Sequence, residues 1–192
     1  DNGVNFNTVS NGGIYSGATS ASLTLTGIPS IAYNGYQYRC TISNACSSSN
    51  TTAALLTAVV APSVSANPSN VVSCVGGNAI YNVTGAGGGT LVYQWQESSD
   101  GGSSFNNLSN GGIYSGATST ALTLTGIPTA AYNGYRYRCR ITNSCSSVNS
   151  NSATLTTTVA PSITSDPSNT TVCSNTTATF LVVASGTSLS YQ

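Results

Sequence analysis

Residues 131–147 read AYNGYRYRCRITNSCSS. Alternation along an extended chain sends Tyr135, Tyr137 and Cys139 to one face and Arg136, Arg138 and Arg140 to the other. Asn133-Gly134 ahead of them is a turn signal. The same stretch stands earlier as Tyr33-Asn34-Gly35-Tyr36-Gln37-Tyr38-Arg39-Cys40, and 139 − 40 = 99. Residues 10–46 align with 109–145 without a gap, identical at 29 of 37 positions. Ala61-Pro62-Ser63 returns as Ala160-Pro161-Ser162. Cys40, Cys46 and Cys74 return as Cys139, Cys145 and Cys173. A fixed period of about 99 residues with this identity signals a tandem array.

The phase of the repeat predicts three pieces. Residues 1–60 are a partial domain, 61–159 a complete one, and 160–192 a partial one ending at Tyr191-Gln192, which matches Tyr93-Gln94. Trp95 is the single Trp in the chain. The expectation is of an excerpt that continues at both ends, or of half-domains completed by neighbouring copies.

Charged residues make up only 4% of the 192 residues, against roughly 25% in ordinary globular chains. The cations are Arg39, Arg136, Arg138 and Arg140, and the acids are Asp1, Glu97, Asp100 and Asp166. A net charge of zero attracts neither phosphate backbones nor anionic lipid, so nucleic acid is not an expected partner. No apolar run reaches the ~18 residues of a spanning helix, so no membrane insertion is expected. Six Cys in a chain this small point to an oxidising, extracellular setting.

Within 61–159, short alternating runs are separated by Gly, Asn, Ser and Pro, which predicts an all-β fold. The strands fall near 63–66 (A), 71–74 (A′), 79–85 (B), 91–97 (C), 105–108 (C′), 121–125 (E), 134–143 (F) and 152–159 (G). Ser99-Asp100-Gly101-Gly102 reads as the turn after strand C. Residues 1–60 then carry strands C′ to G, and residues 160–192 carry A to C. A Trp on C, with Tyr-x-Cys on F, resembles an immunoglobulin-like sandwich of about one hundred residues. The core markers are Trp95, Tyr137, its counterpart Tyr38, and Val83, which stands where strand B of an ordinary immunoglobulin domain has its partner Cys.

The segments YQWQESSDGGSSF (93–105), SNGGIYSGATSTALTLTGI (109–127) and NGYRYRCRITNSC (133–145) resemble the Ig-like repeats of long secreted surface proteins of Bacteroidota. The resemblance covers the whole chain. It implies a stalk or adhesin-like array, a head-to-tail rod of sandwiches, and no catalytic residues to carry over.

The disulfide candidates are Cys40, Cys46, Cys74, Cys139, Cys145 and Cys173, three per period. Cys139 is expected inward in mid-strand, Cys145 at the F–G tip and Cys74 at the end of A′. Head-to-tail stacking would bring a Cys74-type residue of one domain to a Cys145-type residue of the next. The alternative is a bridge within one domain among Cys74, Cys139 and Cys145. Bridged Cα atoms must lie within about 7 Å, and an extended strand F would hold Cys139 and Cys145 about 20 Å apart.

No His is present, so Ser-His and Cys-His dyads are excluded. No metal or other cofactor is expected. Glu97 and Asp100 read as flanking a solvated turn. Tyr15 and Tyr114 read as packing at the sandwich edge near strand D. The one candidate contact face combines Arg136, Arg138 and Arg140 with Gln94 and Gln96 of the neighbouring strand, a polar, weakly basic stripe suited to glycan hydroxyls, carboxylates or another chain. The function expected is a non-enzymatic structural segment of an extracellular stalk, adhesin shaft or surface filament, with neighbouring repeats or further copies as partners and glycans or other cell-surface proteins as further candidates. The alternative is a glycan-binding accessory module.

Overall fold

A computed structural model describes residues 5–28 and 31–192; Asp1, one of the four acids, lies outside the described residues. Among these residues there is no α-helix, only two 3-10 turns at Ile31–Tyr33 and Ala130–Tyr132. No helix is long and apolar enough to cross a membrane. The chain divides into two compact units. The first is Asp1–Pro62 with Gly87–Thr90 and Asn143–Ser146; the second is Ser63–Ala86, Leu91–Thr142 and Ser147–Gln192.

The first unit is built from two-stranded antiparallel ribbons. β1 (Tyr15–Ser16) pairs with β2 (Thr24–Leu25), β3 (Gln37–Tyr38) with β6 (Ala54–Leu55), and β4 (Thr41–Ser43) with β5 (Ser48–Asn50).

The second unit holds a two-sheet sandwich. One layer contains β7 (Ser63–Ala66) paired with β10 (Thr84–Ala86), and the ribbon β13 (Tyr114–Ser115), β14 (Ala121–Leu124), β9 (Ala79–Asn82). The other runs β12 (Asn106–Asn107), β11 (Val92–Ser98), β15 (Arg136–Thr142), β17 (Ala153–Thr158), β8 (Val71–Cys74), with β16 (Ser147–Asn149) also on β15. All pairs are antiparallel except β17–β8. The chain at the start of the sandwich therefore serves both layers, β7 in one and β8 in the other. Pro68 lies between them, where a residue without an N–H interrupts the ladder at least cost. Further along, β18 (Ser162–Ser165) pairs with β19 (Val183–Ser185), the counterparts of β7 and β10.

Strand B differs from its expected single run over 79–85. It breaks at Val83 into β9, on β14, and β10, on β7, with a register shift between Thr84 and Gly85. A chain that changes partners must leave one ladder before joining the next, and the bulge makes that turn. Val83 N–H instead donates to Thr120 O at 2.9 Å. The turn after β11 has Gly101 and Gly102 at φ 74° and 99°, the region where Gly carries no steric penalty.

The core is continuous between the layers. Trp95, Leu122, Leu124, Ile127, Tyr137, Cys139, Ile141, Ala153 and Leu155 have no exposed surface, and Ala79, Tyr81 and Val83 join them. The Tyr81 and Tyr137 ring centroids lie 4.9 Å apart, and Tyr81 lies 6.4 Å from Trp95. The Tyr81 hydroxyl is buried without a hydrogen-bond partner, and burial pushes its ionisation above the ordinary phenol range.

Local geometry recurs with the sequence. Asn11 and Asn110 each accept a backbone N–H seven residues on, at 2.8 Å. Asn34 and Asn133 each accept from residues 58 and 157 at 2.9 Å. Gly17 and Gly116 share φ 75° and 76°, and a Cβ on either would meet a backbone carbonyl oxygen at 2.1 Å. Arg39 stacks over Phe6 at 4.1 Å, as Arg138 does over Phe105 at 3.9 Å. A repeat of sequence is here a repeat of hydrogen bonds and stacking.

Candidate functional site

The polar stripe forms on the outer face of β11 and β15 because the register sets Gln94 opposite Arg140, Gln96 opposite Arg138, and Ser98 opposite Arg136. Both amides and the Arg138 guanidinium are already engaged within the fold. Arg138 donates from Nε to Gln96 Oε1 at 2.8 Å and covers the Phe105 ring. Gln96 is only 8% exposed and donates to Asn107 Oδ1 at 2.9 Å. Gln94 donates to Leu108 O and Trp95 O, each at 2.8 Å. Arg140 reaches Ser147 Oγ at 3.0 Å. Arg136 and Arg140 remain exposed. The segment around β12, expected as strand C′, takes up the amides of this face, a contact that spacing does not encode.

On the inner face of the same strands, Glu97 is opposite Tyr137. Its carboxylate accepts from Tyr137 Oη at 3.0 Å and from Tyr114 Oη. This corrects the expectation of a solvated Glu97. Two phenols hydrogen-bond the charge, and the side chain is half-buried. Desolvation, foremost, pushes the ionisation of both tyrosines upward; the Glu97 carboxylate adds to it at Tyr114, and Tyr114 and then Glu97 add to it at Tyr137. Tyr114 on β13 is thereby a structural residue at the edge of the sandwich. A signal was available: Trp95 and Glu97 share a face, so an inward Trp implies an inward Glu. Asp100 stays in the exposed turn, where Ser104 side-chain and backbone donors and the Ser98 hydroxyl hold its carboxyl below the usual carboxylate range.

The cysteines sit in three environments. Among the described residues none is bridged. Cys139 is fully buried. Cys145 lies in the turn after β15, its thiol donating to Val59 O at 3.0 Å, while Asn143 Nδ2 donates to Val60 O and Gly88 O at 2.7 and 2.9 Å. That turn therefore borders the chain about to enter β7. Cys74, at the end of β8, accepts from Thr158 Oγ1 at 3.5 Å, where the chain leaves β17. Burial pushes the Cys139 thiol from 9.0 up to about 11. At pH 8 its thiolate fraction is then about one in a thousand, and reactivity follows the thiolate. Iodoacetamide at pH 8 is expected to label Cys40, Cys46, Cys74, Cys145 and Cys173 in the native protein and Cys139 only in denaturant, read by peptide mass spectrometry. Because the folded state retains a proton that the unfolded chain releases, stability from this group is constant below about pH 9 and declines between about 9 and about 11.

The two layers, the aromatic core and the parallel β17–β8 edge define an immunoglobulin-like β-sandwich protein. The chain belongs to the family described as Domain of unknown function (DUF8696), whose model matches residues 63–161, just over half of its length. Among solved structures, the I-band fragment I67–I69 of titin is similar at TM-score 0.64 with 17% identity, over 83% of this chain and 54% of that one. The chain thus spans about half the length of that fragment, and at this identity the likeness concerns the fold. Sidekick-1 immunoglobulin domains 1–5 align at TM-score 0.43 with 19% identity, over 77% of this chain and 30% of that one. No curated protein matches the sequence.

Proposed function

We propose that this chain is a segment of an extracellular tandem Ig-like array that acts as a spacer: a non-enzymatic stalk, adhesin shaft or surface filament of the Bacteroidota type. The observation that carries the reading is the recurrence, at 99 residues, of the same caps, glycine turns and Arg–Phe stacks. In this reading 1–60, 61–159 and 160–192 are part of one domain, a whole domain and part of a third. The short Ala-Pro-Ser junctions leave little slack between strand G of one domain and strand A of the next. The positions of Cys145, beside the chain entering β7, and of Cys74, beside the chain leaving β17, favour bridges between successive domains over a bridge within one. Glycan binding on the Arg–Gln stripe is less favoured, because Gln94, Gln96 and Arg138 already serve one another and the β12 segment.

The test is electron microscopy of concatemers with two, four and six complete repeats. Length is expected to grow linearly by about 40 Å per repeat, about 34 Å for an extended run of about ten residues and the rest for the loops at its ends. Particles whose length does not grow with repeat number would reject a shaft.

A further inference from the structure

Three of the chain's four cations stand on the outer face of one strand. Arg136, Arg138 and Arg140 alternate along β15, so their backbone positions follow one another at about 6.8 Å. The described acids are occupied or set apart. Glu97 turns inward to Tyr114 and Tyr137, the Asp100 carboxylate is taken by Ser98 and Ser104, and Asp166 follows β18. Among the described residues none of the three arginines is ion-paired. Two of them are held in position. Gln96 gives its amide N–H to Asn107 Oδ1, which leaves Oε1 to accept from Arg138 Nε at 2.8 Å. The Arg138 guanidinium carbon lies 3.9 Å from the centre of the Phe105 ring. These contacts use Nε and one face of the plane. Among the described residues, Nη1 and Nη2 of Arg138 donate to no group of the fold. Arg140 is held by Ser147 Oγ at 3.0 Å. In the first unit Arg39 keeps the stack on Phe6, but Gln37 and Thr41 stand where Arg136 and Arg140 would be.

We infer that this row is a docking site for an extended acidic segment of another protein, one with carboxylates at alternate positions. The engaged amides leave little for the hydroxyls of a neutral sugar, but they do not cancel the charge of the row. A guanidinium presents two parallel N–H groups to a carboxylate, and the free Nη edge of Arg138 has that form. An extended peptide repeats its alternate side chains at the same 6.8 Å or so as β15, so successive carboxylates meet successive arginines. A guanidinium already fixed by Phe105 and Gln96 loses little freedom on binding. Within these 192 residues no two acids stand two positions apart, so a further copy of this chain does not supply the segment. This interaction is additional to the spacer role, and either can fail alone.

The probe is a synthetic peptide, Ser-Glu-Ser-Glu-Ser-Glu-Ser, titrated into the isotope-labelled whole chain and followed by nuclear magnetic resonance. Saturable one-to-one shifts are expected at the Nε–H groups of Arg136, Arg138 and Arg140, with none at Arg39, and binding should weaken as salt screens the exposed charges. The peptide Ser-Ser-Glu-Glu-Glu-Ser-Ser, equal in charge, should bind more weakly, because its carboxylates do not keep the spacing of the row. Arg138→Lys keeps the charge without the fork and should raise the dissociation constant about tenfold. Arg136→Gln/Arg140→Thr gives the face the residues that the first repeat carries in Gln37 and Thr41, and should also raise it about tenfold. Absence of saturable shifts, equal binding by the two peptides, or unchanged binding by the double variant overturns the inference. So does tighter binding of a galacturonic acid trimer than of the alternating peptide, because the row would then serve an acidic polysaccharide.

Discussion

Trp95→Ala is expected to destabilise the second unit by about 3–5 kcal/mol. Trp95 has no exposed surface, lies 6.4 Å from the Tyr81 ring, and donates from Nε1 to Ser119 O at 2.9 Å. Truncation leaves a cavity between the layers, because β11 is held in place by its full ladder to β15 and cannot collapse inward. It also strands the Ser119 carbonyl. Domains of this size are typically stable by about 5–15 kcal/mol, so the variant sits near the threshold of folding. The measurement is urea denaturation followed by far-UV circular dichroism, since the substitution removes the chain's one Trp. A loss under about 1 kcal/mol would mean that the layers do not meet at Trp95.

Glu97→Ala comes next, with an expected loss of about 3 kcal/mol. Hydrogen bonds to a charged group are worth about 1.5–3 kcal/mol each, and a buried donor left alone adds its desolvation cost. Tyr137 is fully buried, so its hydroxyl has no water to turn to. Glu97→Gln keeps one acceptor oxygen and should lose about half as much. Trp95 fluorescence follows this variant directly. A triple variant Glu97→Ala/Tyr114→Phe/Tyr137→Phe should recover part of the loss, because it removes the stranded donors together with the acceptor. Further loss from the phenylalanines would mean that the hydroxyls serve another partner.

The expected all-β sandwich and its inward Trp95, Tyr137 and Cys139 were legible because strand alternation is local and the repeat printed the pattern twice. The positions of Cys145 in the turn after strand F and of Cys74 at the end of A′ were legible for the same reason. The break of strand B at Val83 was not. It arises from a change of partner between β14 and β7, which depends on where those strands lie and not on residues 79–85. The Glu97 site was half legible: alternation placed it inward with Trp95, but its being charged favoured the solvated reading. The polar stripe was legible as a row of side chains, but the engagement of Gln94 and Gln96 by the β12 segment was not.

By itself, then, the sequence determined the period, the strand alternation, the glycine and Asn turns and the dearth of charge, each a property of neighbours along the chain. Only the tertiary structure decided that two phenols satisfy Glu97, and that Gln94, Gln96 and Arg138 satisfy one another and the β12 segment. These follow from pairings between residues about 10 to 40 positions apart. Such pairings exist once burial has removed water and each polar group must find its partner within the fold.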